Sequence, residues 1–140
     1  MLRVVLDTSV VVAALRSRRG ASNEVLRLVA RGRLTALATP ALFLEYEEVL
    51  GRPEQRAAHG LHEQELVGVL AALASALEPV SVHIIWRPQL RDPSDEMVLE
   101  TAINGRADAI VTFNVRDFGA AGRFGLSVMR PGDILQKVRR

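Results

Sequence analysis

The feature that most constrains this chain is its opening, Leu2-Arg3-Val4-Val5-Leu6-Asp7-Thr8-Ser9. An apolar run of strand length ends in a carboxylate, and a helix-compatible pattern over residues 8–15 begins at once. A near-continuous apolar strand is the mark of a parallel strand covered on both faces. Ligand sites in open α/β sheets lie beyond the carboxyl ends of such strands, so Asp7 falls where chemistry is usually done. The competing role is local, since an Asp here also caps the following helix. Which role holds depends on what later segments bring to it.

The same alternation continues along the chain. After a basic turn at residues 16–20, Ser22 or Asn23 is expected to cap a second helix that Gly32 stops. Leu34 to Thr39 reads as a second strand closed by Pro40, and residues 41–50 as a helix ending near Gly51-Arg52-Pro53. Residues 54–60 are less regular. From Glu63 to Leu77 the pattern is helical, with Leu66, Val69, Leu70, Leu73 and Leu77 on one side. Val80 to Trp86 reads as a third strand and residues 88–91 as a loop, and Asp92-Pro93 opens another helix. Ala109 to Thr112 reads as a fourth strand, Leu126 to Met129 as a short fifth, and residues 133–138 as a last helical turn. Strands alternating with helices imply βαβ units: an α/β fold around a central parallel sheet of four to five strands. With 140 residues and no repeat, low-complexity tract or linker, one domain over residues 1–140 is expected.

Composition narrows the classes. Cys is absent, which excludes disulfides, thiolate nucleophiles and Cys-ligated zinc, and fits a reducing compartment. No apolar run approaches the roughly 20 residues that span a bilayer, and no secretory signal pattern is visible. A cytoplasmic, non-membrane protein is the expectation. The formal net charge is only +2, but the basic residues are almost all arginine, whose fork binds phosphate bidentately. Nucleic-acid binding and a GC-rich coding sequence explain that bias equally well.

Three further places carry acids. Glu45 lies in Leu42-Phe43-Leu44-Glu45-Tyr46-Glu47-Glu48-Val49 and shares a helical stripe with Ala41, Leu42 and Val49, so it should face the body of the domain. Glu47 faces away and Glu48 borders the stripe. A carboxylate on an apolar face is costly unless paired or bound to a cation, and an arginine partner for Glu45 is the plain alternative. In Asp92-Pro93-Ser94-Asp95-Glu96, Asp92 has the character of an N-cap with Pro93 in the first helical position. Asp95, Val98, Leu99 and Ala102 then fall on one stripe, which carries Asp95 inward. Asp95 also sits where an acid favourably meets the helix dipole. Finally, Ile110-Val111-Thr112-Phe113-Asn114-Val115-Arg116-Asp117-Phe118 is a short apolar strand ending in polar residues, with Asn114 and Asp117 as candidates for the same edge. Turn-forming and plain surface roles compete for both.

Taken together, VVLDTSVVVAAL, TPALFLEYEEVL, RDPSDEMVLETAINGRADAIVTFNVRDF and LSVMRPGDIL span nearly the whole chain and resemble the PIN-domain nucleases. The resemblance is to the toxin-like PIN proteins of bacterial and archaeal toxin–antitoxin pairs. It implies a three-layer α/β/α sandwich and a metal-dependent endoribonuclease, with RNA as substrate, a cognate antitoxin as partner, and a homodimer. By that resemblance Asp7, Glu45 and Asp95 match the family's metal-site acids. Asn114 stands where the family often has a fourth acid, with Asp117 three residues on. Asp7, Glu45, Asp95, Asn114 and Asp117 are then the catalytic set, with Asp7, Glu45, Asp95 and Asp117 holding Mg²⁺ or Mn²⁺. Thr8, Ser9, Thr112 and Asp92 would bond those ligands or the substrate phosphate. The chemistry fits, because phosphodiester cleavage needs charge neutralised on the phosphate and a water made nucleophilic, and hard cations on carboxylate oxygens do both.

Other features count for less. His59 and His62 lack the further ligands that zinc needs. His83 is expected to be a structural histidine in an apolar strand. Trp86 could stack on a base or fill part of the core. Arg16, Arg18, Arg19, Arg87, Arg91 and Arg116 fall in loops, where RNA backbone, antitoxin or solvent would meet them. A catalytically weak PIN-fold module that binds RNA or protein is the alternative, motivated by Asn114. A haloacid dehalogenase-type phosphatase is disfavoured because Ser9 stands where its second Asp belongs. A receiver domain is disfavoured because the sole lysine is Lys137.

Overall fold

A computed structural model describes residues 1–85 and 89–139. Among these residues five parallel strands form one sheet: β1 (Arg3–Leu6), β2 (Thr35–Ala38), β3 (Glu78–Pro79), β4 (Ala109–Val111) and β5 (Ser127–Met129), in the order β3-β2-β1-β4-β5. The first strand is the central one. Val4 pairs with Ala36 on one side and with Ala109 on the other, and Leu6 is opposite Val111. Val4, Val5 and Leu6 are fully buried, which is why the run carries no polar alternation.

Among the described residues the helices are α1 (Thr8–Arg16), α2 (Ala21–Ala30), α3 (Pro40–Leu50), α4 (Pro53–His59), α5 (Glu63–Ala76), α6 (Pro93–Asn104) and α7 (Pro131–Arg139), with a 3₁₀ segment at Val115–Phe124. Helix α1 packs on α2, and α2 on α7 and α5; α6 lies against β1, β2, β4 and the 3₁₀ segment. The result is the three-layer α/β/α sandwich around a parallel sheet. Gly105, just past α6, permits this close packing. A Cβ there would sit 2.8 Å from Leu37 Cδ1 and 3.0 Å from Val80 Cγ2.

Several local expectations need correction. The third strand is only Glu78–Pro79, and residues 80–85 are irregular; Trp86 and Arg87 lie outside the described residues. Asn104 supplies what a strand neighbour would. Its Oδ1 accepts from the amides of His83 (2.6 Å) and Ile84 (2.7 Å), and its Nδ2 donates to the Ile84 carbonyl (2.8 Å). His83, expected to be a structural histidine in an apolar strand, lies outside any strand and is exposed. Residues 54–60, expected to be less regular, fall in α4 and its stop, Gly60, which lies in the left-handed region at φ 66°. His59 bridges the Leu50 carbonyl and the Leu61 amide, and His62 caps α5 together with Glu65. Gly20, not Ser22 or Asn23, occupies the cap position of α2.

Candidate active site

Strand β1 delivers Asp7 to the carboxyl edge of the sheet, where its amide continues the ladder to the Val111 carbonyl at 2.9 Å. Asp7 is 6% exposed and stands at the N-cap position of α1, yet its side chain makes no capping bond. Instead Oδ2 accepts from Ser9 Oγ (2.8 Å) and from Thr112 Oγ1 (2.7 Å). The local capping role is therefore not what the carboxylate does. Thr112 is fully buried at the end of β4, and its hydroxyl also accepts the Asn114 amide at 2.9 Å. Adjacent central strands thus tie Asp7 to the turn that follows β4.

Glu45 arrives on α3, which Thr39 caps and Pro40 starts. The helix is fastened to the end of β1 by its next residue, since the buried Tyr46 hydroxyl donates to the Leu6 carbonyl at 2.5 Å. Burial, then the charges of Asp7 and Glu45, push the Tyr46 phenol up, which keeps it a donor. Among the described residues Glu45 has no arginine partner. Its Oε2 accepts from Thr8 Oγ1 at 3.0 Å and its Oε1 from Ser94 Oγ at 2.5 Å. Those hydroxyls come from α1 and α6, so Glu45, midway along α3, lies where two helix starts meet. Glu48, the neighbouring acid, pairs with Arg52 on the exposed surface at 2.8 Å.

Asp92 caps α6 as the Asp-Pro pattern implies, accepting from the Ser94 amide at 2.8 Å. Asp95 follows, half-buried, and its carboxyl is pushed up to about 7. Burial is the largest cause, followed by the charges of Asp7, Asp92, Asp117 and Glu45. That field reaches Asp95 from four places in the sequence. Asp117, exposed in the first turn of the 3₁₀ segment, faces Asp92 and Asp95 across a hollow of about 750 Å³ that Arg91 and Arg116 also line. Asn114 is exposed, and its amide holds Thr112.

Two contributors escaped the sequence analysis. The helical stripe of Asp95, Val98, Leu99 and Ala102 points to Asp95 as the inward acid, but the more deeply buried one is Glu96, 6% exposed. Its Oε1 accepts from the amides of Gln89 (2.5 Å) and Leu90 (2.6 Å), fixing the loop that supplies Arg91 and Asp92. The spacing Glu96, Leu99, Ile103 was the available signal. Ser94, the partner of Glu45, had none beyond its place in the first turn of α6.

A divalent cation fits this donor set by chemistry. Carboxylate and hydroxyl oxygens are hard donors, and Asp95 is raised by burial first and then by the charges of its carboxylate neighbours. Among the described residues no three Asp, Glu or His side chains converge tightly enough to ligate one ion as placed.

The sequence model of the PIN domain matches residues 3–116, so the chain belongs to the PIN domain family. Members of that family are generally nucleases, a class of hydrolase, and typically use divalent metals. The match takes in Asp7, Glu45, Asp95 and Asn114 and stops one residue short of Asp117. Comparison with curated proteins finds no match. Among the described residues no helix is long and apolar enough to cross a membrane.

Proposed function

We propose that this chain is a Mg²⁺- or Mn²⁺-dependent endoribonuclease, the toxin of a toxin–antitoxin pair, acting in the cytoplasm as one domain over residues 1–140. The observation that carries this is that burial and the charges of Asp7, Asp92, Asp117 and Glu45 act together on Asp95 at the carboxyl edge of the sheet. Asp7, Glu45, Asp95 and Asp117 would hold the cation. When bound, it supplies positive charge at the phosphate and lowers the pKa of a water. Ser9 and Thr112 both bond Asp7 Oδ2, which leaves Oδ1 for a ligand. Thr8 and Ser94 fix the orientation of Glu45, and Asp92 holds the start of α6. Asp95, shared between protonated and ionised forms near neutrality, releases its proton as positive charge arrives.

The test is cleavage of single-stranded RNA with Mg²⁺ or Mn²⁺. Wild type should cleave, and Asp95→Ala and Asp7→Asn should lose the activity while remaining folded. Absence of cleavage with either ion, together with an unchanged melting temperature on adding them, would remove the proposal. The toxin role, the cognate antitoxin and the homodimer rest on the ordered motif set, and co-purification and light scattering test them. The exposed Asn114 at the family's acid position favours one other reading, a catalytically weak module that binds RNA or protein. It predicts neither cleavage nor a cation-dependent shift in melting.

A further inference from the structure

The hollow beside Asp95 has a second, cationic character that the metal chemistry does not use. Arg91 and Arg116 line it together with Asp92, Asp95 and Asp117. Both arginines are exposed, and among the described residues neither enters an ion pair, although carboxylates share the same cavity. Both follow residues that the site fixes. Arg91 comes after the two amides that Glu96 holds, and Arg116 lies in the first turn of the 3₁₀ segment beyond Thr112 and Asn114. Between those last two residues stands Phe113, 39% exposed, its amide 3.5 Å from Ser9 Oγ. An exposed aromatic on a short, pinned turn beside Asp7 forgoes burial, and little conformational freedom is lost when something covers it.

We propose that Arg91, Arg116 and Phe113 form a nucleotide subsite next to the acids, the guanidiniums gripping backbone phosphate and the Phe113 ring stacking on an unpaired base. The subsite rests on the nuclease reading, because it positions a strand against the acidic edge. Guanidinium binds phosphate in a fork whatever the base, whereas an aromatic face contributes only where a base is present. The two halves are therefore separable.

The experiment is fluorescence-anisotropy binding of a labelled single-stranded RNA and of an abasic strand of equal charge, in Ca²⁺, across a salt series. Phe113→Ala should weaken the base-bearing strand about tenfold and leave the abasic strand unchanged, with Phe113→Trp restoring affinity. Arg91→Ala and Arg116→Ala should each weaken both strands, each lowering the salt slope by about 0.7. Melting curves confirm that the exposed substitutions leave the fold intact. Wild-type binding that all three alanine variants retain would overturn the subsite and leave the nuclease proposal standing. Absence of wild-type binding to either strand would overturn both.

Discussion

Asp95→Asn tests the electrostatic reading of the site without needing a substrate. The Asp95 carboxyl titrates near 7 in the fold against an ordinary 3.8. A raised acid favours the protonated form, so the folded state carries no penalty below the ordinary value. The penalty then accumulates as pH rises through the window from about 4 to 7 and is complete above it. Taken at face value, the displacement is worth about 4 kcal/mol. Asp95 is only half-buried, and solvent screening reduces this to about 1–2 kcal/mol. Asparagine removes that penalty and forgoes roughly 0.5 kcal/mol of charge–dipole stabilisation at the start of α6. The chelated variant should therefore melt a few degrees above wild type at pH 8, about 2–6 °C for a domain of this size. At pH 4.5 only about a quarter of the penalty remains, and the two curves should nearly coincide. Added Mg²⁺ should raise the wild-type melting temperature at pH 8 more than that of the variant. Thermal unfolding by circular dichroism in EDTA, at both pH values, is the assay. A variant less stable at pH 8, or a difference independent of pH, would mean that burial and the neighbouring carboxylates do not raise Asp95.

Glu96→Gln keeps the volume but weakens two charge-assisted bonds to the Gln89 and Leu90 amides. It should cost about 1–2 kcal/mol, read in urea unfolding, and increase hydrogen exchange at those two amides; unchanged exchange would deny the loop-holding role. Gly105→Ala forces a methyl against Leu37 and Val80 and should destabilise by about 1–3 kcal/mol. A neutral result in the same unfolding assay would show that those side chains yield freely. Ser22, 2% exposed, has a hydroxyl with no hydrogen-bond partner among the described residues. Ser22→Ala should stabilise the protein by about 1 kcal/mol, and a drop in melting temperature would reveal a partner for that hydroxyl.

Much of this protein is legible from local pattern. The apolar run ending at Asp7 marks a buried parallel strand, and Asp92-Pro93 marks the start of α6, because strand burial and helix capping are decided within a few residues. The run from Val80 misled for the same reason. Its apolar residues satisfy strand periodicity, but the partner offered to residues 83 and 84 is the side chain of Asn104, about twenty positions away. Likewise the sequence places Glu45 and Asp95 on helix faces but cannot say what meets them. That Thr8 and Ser94 bond Glu45, that Thr112 bonds Asp7, and that Asp117 adds its charge to Asp95 follow from β1 lying between β2 and β4. Caps and periods are properties of neighbouring residues, whereas the shared field of carboxylates from four segments exists only once the sheet order sets them on one edge.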